Sequence, residues 1–295
     1  MILILLGTIW GTGYSIARFA MTNGVPPLGY SFWQTLGPAI FMTLIVLLRK
    51  HVLHASPRHV RFYLVTALTG IVIPNTSMYF AAPHLPASIL AMIVNTVPII
   101  AYPLALLAGL EKFHWVKMTG ILFAILGLML LILPKSSLPT EPMTPWILST
   151  LVTPVSFAIC SIYIARYRPE DSDSLTLSAG MLIFSTLMLI PMVVITDSFY
   201  SLHLPITMPD WIILLEIVLS SLGYILFFQL IKIAGPVYYS LVDTIVVLTG
   251  VVWGRLIFGE HLNKWTTTAV TLIVLALLLV TQHQTWTADK HDRKS

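Results

Sequence analysis

The chain has 295 residues, of which 57% are hydrophobic and only 9% are charged, and its formal net charge is +4. Its mean hydropathy is +0.89. Soluble domains carry roughly 25% charged residues, so a chain of this composition could not cover its surface in water. The composition excludes an ordinary soluble protein and indicates one that lies within a lipid bilayer.

Ten apolar stretches fill almost the whole chain, and each has the length of about 20 residues that crosses a bilayer as a helix. Segments 1 to 10 are predicted at 2–21, 28–48, 62–82, 87–109, 116–133, 146–165, 175–196, 211–231, 236–257 and 265–282. A β-barrel would instead require strands that alternate apolar and polar residues. These segments are continuously apolar, so we predict an all-α integral membrane protein with ten transmembrane helices.

Segment 1 begins at Met1 and could be either a signal peptide or a helix of the mature protein. A signal peptide carries basic residues before its apolar run, whereas Arg18 follows the run in this chain. We therefore interpret segment 1 as a retained transmembrane helix.

The distribution of lysine and arginine predicts how the helices are oriented. With the N-terminus inside, the loops on that side hold twelve of the sixteen basic residues, namely Arg49, Lys50, Arg58, Arg61, Lys112, Lys117, Arg166, Arg168, Lys232, Lys290, Arg293 and Lys294. The positive-inside rule then predicts that both termini are cytoplasmic in a bacterial inner membrane, which is the plasma membrane. The basic residues are interpreted as anchors to anionic lipid, so no nucleic-acid partner is predicted.

The loops between the segments are too short to form a soluble domain, and they contain no Walker loop for a nucleotide. The nine histidines lie mostly in loops without the spacing of a metal site. The single cysteine, Cys160, is interpreted as a small core residue. We predict no cofactor and no metal, and a function that takes place within the bilayer, by a monomer or a homodimer.

Short internal echoes divide the ten segments into five plus five. "GYSIAR" in segment 1 and "SIYIAR" in segment 6 align Arg18 with Arg166 at an offset of 148 residues. "IVNT" in segment 4 and "LVDT" in segment 9 align Asn95 with Asp243 at the same offset. Two echoes at one offset, in corresponding segments, indicate an internal repeat.

A third echo relates "GLEKF" to "FGEHL" and aligns Glu111 with Glu260 at an offset of 149 residues. Because five is an odd number, the second half would enter the membrane from the opposite side, as in many transporters. We predict two inverted five-helix repeats, 1–137 and 138–284, around a central cavity, followed by a basic cytoplasmic tail, 285–295.

Three stretches resemble the EamA branch of the drug/metabolite transporter superfamily: the opening "GTIWGTGYS", the block from Pro98 to Gly120, and "GRLIFGEHL" at 254–262. The resemblance implies two inverted five-helix repeats around a cavity, and export or exchange of small metabolites, often amino acids or related compounds. This chain has Gln34 where that family often has an arginine in its second helix. Its acid in segment 9, Asp243, lies three residues before the position of the family's acid-proline pair.

Asp243 is the most informative single residue, because no charged residue lies near it in segment 9. A carboxylate at the centre of a transmembrane helix costs roughly 2.5–3.5 kcal/mol on insertion scales, so it should face the bundle interior or a wet cavity. We predict that it carries a proton or binds the amine of a substrate. The alternative is structural, with the carboxylate paired to Asn95 or Thr244 and joining segments 4 and 9.

Glu216 and Arg18 form a second pair of charged candidates. Glu216 lies five residues into segment 8, which places it roughly 8 Å from the helix end at 1.5 Å per residue. Arg18 lies near the outer end of segment 1. We predict an ion pair between them near the outer mouth, which would be either a gate or a structural salt bridge. Without that partner, Glu216 is a second candidate for a proton site.

Polar and aromatic side chains within the segments complete the predicted substrate site, which contains Trp10, Tyr14, Gln34, Tyr79, Asn95, Tyr163 and Tyr224 in addition to Asp243. Aromatic faces near a carboxylate suit an organic cation or the amine of an amino acid. Trp10 and Tyr14 share a helix face because they lie four residues apart. The alternative for any one of these aromatic residues is packing within the bundle.

Together these features predict a secondary active transporter and not an enzyme. It would export or exchange a small polar metabolite, an amino acid or a related amine-bearing compound, by alternating access with proton coupling through Asp243. A passive facilitator or channel is one alternative, and an intramembrane enzyme is another. The enzyme is disfavoured because the sequence contains no Gly-x-Ser-x-Gly, no aspartyl-protease pair and no metal-binding cluster.

Overall fold

The computed structural model describes residues 1–132, 143–239, 242–261 and 263–292, and of residues 131–132, 228, 231–239 and 281–292 it describes the backbone alone. Its helices are α1 (Ile2–Thr22), α2 (Pro27–Leu48), α3 (Pro57–Ala67), α4 (Ile73–Ala81), α5 (Ala87–Val94), α6 (Val97–Leu107), α7 (Trp115–Ile132), α8 (Thr144–Thr150), α9 (Val152–Tyr167), α10 (Ser174–Ile195), α11 (Met208–Tyr239), α12 (Val242–Phe258) and α13 (Lys264–Asp292). Helix covers the body of every predicted segment, and the described residues contain no strand. The predicted repeat boundary at 137/138 lies outside the described residues.

Seven stretches of helix are long and apolar enough to cross a membrane, judged by length and composition over the described residues. They are Ile2–Thr22, Pro27–Leu48, Pro57–Ala81, Ala87–Leu107, Thr144–Tyr167, Ser174–Ile195 and Met208–Phe227. Shorter apolar helices cover Trp115–Leu130 and Lys264–Val280. The predicted all-helical fold with membrane-spanning segments is therefore confirmed, while the number of ten spans and their inverted arrangement stay predictions.

Segment 3 is helical throughout but widens just before its proline. Pro74 has no amide hydrogen, so the α-helical hydrogen bond to the carbonyl oxygen of Gly70 cannot form. The preceding turn, Leu68–Val72, is π-helical, and the Thr153 hydroxyl donates to the Pro74 carbonyl oxygen at 2.9 Å. Single π turns often mark functional sites, and Gly70 and Asn75 from this stretch both line the cavity described below.

Segment 4, predicted as one continuous helix, consists of two helices with a break between them. α5 ends at Val94 and α6 begins at Val97. The break arises because Pro98 cannot donate a hydrogen bond to the carbonyl oxygen of Val94. Asn95 and Thr96 therefore have ψ angles of 13° and 5°, outside the helical range. The continuous prediction was wrong here, and the break places Asn95 at a helix end partway along the span.

Three predicted boundaries also differ from the structure. α11 continues to Tyr239, past the predicted end of segment 8, and α12 begins only at Val242. α13 continues to Asp292, into the predicted tail 285–295. Hydropathy alone set the predicted boundaries, whereas the backbone hydrogen bonds of a helix continue through polar residues such as Lys232. The side chains of this tail lie outside the described residues.

Two glycines allow α1 to pack tightly against α12. A Cβ atom at Gly7 would lie 2.6 Å from the Cβ of Ile245, and one at Gly11 would lie 2.6 Å from the Cβ of Thr249. A side chain at either position would clash, so the close approach requires glycine. The Gly-x-x-x-Gly motif in "GTIWG" therefore serves packing within the bundle.

Each end of the bundle is named here after an acidic residue that lies there. The Glu260 end contains the C-termini of α1 and α12 and the N-terminus of α5. The Glu111 end contains the N-terminus of α1 and the C-termini of α6 and α9. The largest buried apolar cluster includes Leu85, Leu90 and Ile213 and joins α1, α4, α5, α11 and α13. It packs these helices together towards the Glu260 end.

Candidate functional site

A cavity of about 400 Å³ lies between helices from both halves of the chain. This volume falls within the range of small-molecule sites, roughly 300–1,000 Å³. The predicted site residues that line it are Trp10, Tyr14, Gln34, Tyr79, Asn95, Glu216, Tyr224 and Asp243. The fold therefore brings together most of the side chains that the sequence singled out, although their roles stay predictions.

Asp243 lies in the first turn of α12 and lines the cavity. Within the described part of the chain, its carboxylate takes part in no hydrogen bond and no ion pair. The neighbouring Thr244 hydroxyl is buried and has no hydrogen-bond partner either. The structural alternative, in which Asp243 pairs with Asn95 or Thr244, therefore finds no hydrogen bond to support it.

Asn95 lines the same cavity but is bonded elsewhere. Its side-chain amide donates to the Tyr14 hydroxyl at 3.1 Å and to the Ala91 carbonyl oxygen at 2.7 Å. The break between α5 and α6 positions this amide, because it turns Asn95 out of the regular helix. Asn95 therefore fixes the orientation of Tyr14 and joins α5 to α1.

Glu216 lies within α11, and only 6% of its surface is exposed. The Ser220 hydroxyl, one turn further along the helix, donates to its Oε1 at 2.7 Å. Its Oε2 has no hydrogen-bond partner among the described side chains, although the Tyr30 hydroxyl is a near neighbour. Glu216 is thus a buried carboxylate at the cavity wall, with Oε1 held by Ser220 and the Tyr30 hydroxyl close to the group.

A chain of polar side chains continues from Glu216 across the cavity wall. The Gln34 amide nitrogen lies 3.5 Å from the Ser220 hydroxyl, the outer limit of a hydrogen bond. The Asn75 amide donates to the Gln34 carbonyl oxygen at 3.0 Å. These contacts connect α11 to α2 and α4, and they orient Ser220 towards Glu216.

Arg18 does not contact Glu216, so the predicted ion pair between them is wrong. Arg18 instead pairs with Glu260, and its guanidinium lies 4.3 Å from the centre of the Phe258 ring. The prediction placed Arg18 and Glu216 at the same end of the bundle. The sequence alone could not show which acidic residue from another helix lies closest to Arg18. Arg18 therefore lies at the Glu260 end and outside the cavity lining.

Glu260 joins three elements at this end of the bundle. Its Oε1 accepts from the Ala87 amide at 2.7 Å, and its Oε2 accepts from the Ser88 amide at 3.2 Å and the Ser88 hydroxyl at 2.5 Å. Both amides belong to the first turn of α5, where a carboxylate satisfies free backbone donors and complements the helix dipole. The carboxylate therefore holds α1, α5 and the end of α12 together.

The predicted aromatic residues divide between the cavity and the core. Trp10 packs against Phe227 with ring centroids 5.8 Å apart, and Gly223 leaves room for the indole because a Cβ there would lie 2.6 Å from Trp10 Nε1. Tyr163 lies outside the cavity and stacks on Phe62 at 6.0 Å. The structure thus places Tyr163 away from the other predicted site residues, in a contact that fits its alternative, packing within the bundle.

Several cavity residues did not emerge from the sequence, namely Asn75, Met78, Phe157, Ser178, Met181, Ser220 and Phe227. The apolar ones gave no signal, because a phenylalanine or methionine in an apolar helix is equally suited to the core. Ser220 could have been found, since it lies four residues after Glu216 and so shares its helix face.

The charge of the cavity wall has one sign. The wall carries two carboxylates, Asp243 and Glu216, and no lysine, arginine or histidine among the described lining residues. In the low dielectric of a membrane protein interior, such a site attracts a cation or a proton and repels an anion. Across the part of the chain that the structure describes, no group of three His, Cys, Asp or Glu side chains is placed to hold a metal ion.

Comparison with known proteins identifies relatives over almost the full length. Protein PecM from Dickeya dadantii (strain 3937) is 24% identical over 274 residues, which is 92% of this chain and 88% of PecM. A protein of known crystal structure superposes with a TM-score of 0.63 over 95% of each chain, at 15% sequence identity. At that identity the superposition shows a shared fold and nothing more.

The model of the EamA-like transporter family matches residues 1–133 and matches a second time at residues 144–282. Together the two matches leave only a short linker and the C-terminal residues uncovered. The all-helical fold, the membrane-spanning segments and the cavity between the two halves agree with such an assignment. The chain is therefore a multi-pass membrane protein that belongs to the EamA-like transporter family, within the drug/metabolite transporter superfamily.

Proposed function

We propose that the protein is a secondary active transporter that exports or exchanges a small amine-bearing metabolite by alternating access, coupled to protons through Asp243. The observation that carries the proposal is the position of Asp243, a carboxylate without a protein partner among the described residues at the wall of a cavity within a transporter fold. A carboxylate in that setting can bind a proton or a cationic substrate, and exclusive binding of one or the other is the basis of antiport.

We propose that the transporter consists of two inverted five-helix repeats, 1–137 and 138–284. The double match of one family model supports it. The packing supports it as well: segment 1 packs on segment 8 through α1 and α11, and segment 3 packs on segment 6 through α4 and α9. A twofold relation between the halves would exchange these two contacts, and it would map the pairs α2–α10 and α7–α13 onto themselves.

At the Glu260 end, Arg18 and Ser88 are bound to Glu260, and we interpret this end as the closed one. At the Glu111 end, Glu111 is bound to Lys117, and Arg166, the repeat counterpart of Arg18, is exposed. Alternating access would open the first end and close the second. We accordingly assign Arg18 and Glu260 to a gate, and we expect Glu111 and Arg166 to approach each other in the opposite state.

The orientation of the proposal follows from the basic loops, with both termini cytoplasmic in a bacterial inner membrane. The Glu260 end then faces the periplasm and the Glu111 end faces the cytoplasm. The captured state would load substrate from the cytoplasm, as an exporter must before it releases substrate outside. Fusion of a reporter to each terminus, read on both sides of the membrane, tests this orientation.

The proposal is tested with Asp243→Asn in proteoliposomes. A thermal-shift screen of amino acids and amines first supplies a ligand, because a compound that binds only the folded state raises its stability. We expect the variant to retain exchange of labelled ligand and to lose accumulation driven by a pH gradient. Glu170→Gln, which removes an exposed acid from the turn before α10, is the matched control and should behave as the native protein.

A passive facilitator is the second candidate, because the same cavity could conduct without coupling. A facilitator would equilibrate the ligand and would never accumulate it against a gradient, at any pH. Unchanged pH-driven accumulation in the Asp243→Asn variant would overturn the role of Asp243 while leaving transport itself in place. Membership of a transporter family favours both of these over the intramembrane enzyme.

A further inference from the structure

We infer that the cavity selects organic amines that lack a carboxylate over the corresponding amino acids, and that Glu216 is the residue that receives the ammonium group. The inference rests on the proposed transport function and narrows its substrate class. The two carboxylates of the cavity wall then have different roles. Glu216 binds the cationic substrate, and Asp243 carries the proton.

The negative charge of the cavity wall disfavours a substrate that contains a carboxylate. A zwitterionic amino acid brings a carboxylate as well as an ammonium group, and a buried carboxylate requires a cation or several hydrogen-bond donors. Among the described lining residues there is no lysine, arginine or histidine to supply the cation, and Glu216 and Asp243 would repel the anion. The side-chain amides of Asn95, Asn75 and Gln34 already donate to other residues of the wall. An amine without a carboxylate is attracted by Glu216 and Asp243 and has no anionic group for them to repel.

The break between α5 and α6 could in principle replace a basic residue, because helix N-termini bind anions. Here most of the donors are already used or missing. The Thr96 amide donates to the Ile93 carbonyl oxygen, and the Ile99 amide donates to the Thr96 carbonyl oxygen. Pro98 has no amide hydrogen. The start of α6, which lines the cavity at Val97, therefore offers a substrate carboxylate little compensation.

The position of Glu216 suits it to receive the ammonium group of the substrate. It is buried, and the Ser220 hydroxyl fixes its Oε1 while its Oε2 lacks a hydrogen-bond partner among the described side chains. Gly13 faces that oxygen from α1, where even an added Cβ would stay 4.0 Å away. The absence of a side chain at Gly13 leaves space for a ligand group beside Oε2. The Tyr30 hydroxyl lies near the same carboxylate, but a carboxylate oxygen has two lone pairs and can accept from an ammonium group as well.

Aromatic residues supply the rest of the binding surface. The cavity is lined by Trp10, Tyr14, Tyr79, Phe157, Tyr224 and Phe227. Aromatic faces attract organic cations and bury the apolar part of an amine. An inorganic cation would use the carboxylates but would gain nothing from these rings. The combination therefore points to an organic amine.

The test compares two amines with the amino acids from which they differ by one carboxylate: phenethylamine with phenylalanine, and cadaverine with lysine. Equilibrium binding to the purified full-length protein in nanodiscs is measured by calorimetry. We expect at least one amine to bind at least about tenfold more tightly than its amino acid, which corresponds to one decade in Kd. Binding of either amino acid as tightly as its amine, or binding of neither amine, would overturn the inference.

The residue assignment is tested with Glu216→Gln, which should weaken amine binding at least about tenfold and reduce the preference over the amino acid. If that variant does not fold, Glu216→Asp, which shortens the side chain but keeps its charge, should weaken the amine and preserve the preference. Glu170→Gln again serves as the matched control. Unaltered amine affinity in a folded Glu216→Gln variant would contradict the assignment.

This measurement separates the inference from the proposed function, because equilibrium binding needs neither transport nor a proton gradient. Amine selectivity with no pH-driven accumulation would sustain the cation site and refute proton coupling. Proton-coupled transport of an amino acid, with no preference for its amine, would support proton coupling and refute the cation site.

Discussion

The two ends of the bundle have similar local sequences and reach different structures. "FGEHL" and "GLEKF" each place a glycine shortly after a helix, Gly259 with φ +63° and Gly109 with φ +70°, and a glutamate within two residues of it. At one end, Glu260 is 9% exposed in its side chain and closes on Arg18. At the other, Glu111 is 32% exposed in its side chain and pairs with its near neighbour Lys117.

A single position accounts for much of this difference. A Cβ at Gly254 would lie 2.4 Å from Glu260 Oε2 and 3.3 Å from the Ser88 amide. Six residues before Glu111, the corresponding position is Ala105, whose Cβ would crowd an equivalent carboxylate. The two similar stretches therefore form the same kind of glycine turn. Whether the glutamate can fold back onto a neighbouring helix depends on the residue six positions earlier, which is Gly254 at one end and Ala105 at the other.

Glu260→Gln is expected to have the largest effect. It leaves Arg18 without its anion and weakens the binding of the α5 amides, and removal of one partner from a partly buried pair should cost about 2–4 kcal/mol of the free energy of unfolding. Within the described residues, Glu111→Gln leaves the buried Lys117 ammonium with only its contact to the Tyr102 ring, but no backbone amide loses its acceptor. This variant should therefore cost about 1–2 kcal/mol and less than Glu260→Gln. Chemical unfolding of both variants in detergent measures the difference. Equal losses would contradict the view that the two ends differ.

The same variant should also open the Glu260 end. In a background with Cys160→Ala, a cysteine in place of Ser178, which lines the cavity, reports access of a membrane-impermeant thiol reagent added on the Glu260 side. We expect slow labelling with native Glu260 and labelling several-fold faster with Glu260→Gln. Glu111→Gln should leave the rate from this side unchanged, and an equal rise in both variants would argue against a gate at Arg18.

Gly254→Ala makes the two ends alike by adding the methyl group that Ala105 carries. The added Cβ would displace the Glu260 carboxylate, and overpacking of this kind costs about 1–3 kcal/mol. Thiol labelling from the Glu260 side should rise as it does for Glu260→Gln. The reverse change, Ala105→Gly, should cost about 1 kcal/mol through helix propensity alone and leave that labelling rate at the native value.

Ser88→Ala sharpens the comparison by removing one donor while the Arg18–Glu260 pair remains. The hydroxyl bonds Glu260 Oε2 at 2.5 Å in a buried setting. Its loss should cost about 1–2 kcal/mol, as for a hydrogen bond to a charged group. Ser161→Ala, whose hydroxyl donates only within its own helix to Ala158, is the control and should be nearly neutral. A thermal unfolding series resolves the two.

The smallest expected effect concerns the Glu111 end, where Asp173 caps α10 and joins the two halves. Its carboxylate accepts from the Thr176 amide at 2.8 Å and lies 2.7 Å from His51 Nδ1. Partial burial raises the pKa of Asp173, but the hydrogen bonds from Thr176 and the neighbouring His51 outweigh it, so the pKa lies below its usual value. The cap should be worth about 1 kcal/mol or less.

Because the pKa of Asp173 is lower in the folded state, its stabilising contribution is present above the unfolded-state pKa and is lost as pH falls through the folded-state pKa. Asp173→Ala should therefore be less stable than the native protein at neutral pH. The difference should shrink once the pH falls below about 4, the usual pKa of an aspartate. Unfolding measured from pH 7 to pH 3 tests this, with Glu170→Ala as an exposed-acid control. A constant difference across that range would exclude the proposed origin.

Much of the fold was predictable from the sequence because hydrophobicity acts locally. A run of about 20 apolar residues is helical wherever it lies in the bilayer, so the helical segments, the membrane class and the resemblance carried by short motifs followed from the chain alone. Asp243 and Glu216 were predictable as candidates for the same reason, since an acid in an apolar helix has few places to lie.

The partners of those side chains depended on contacts between residues far apart in the sequence. Arg18 and Glu260 are 242 residues apart, and no local pattern favours Glu260 over Glu216. Tyr163 packs against Phe62 while Tyr224 lines the cavity, although both are tyrosines in apolar helices. The sequence by itself determined which segments are helices in a membrane. Only the tertiary structure decided which residues face the cavity and which acid pairs with Arg18, because those outcomes depend on helix packing across the two halves.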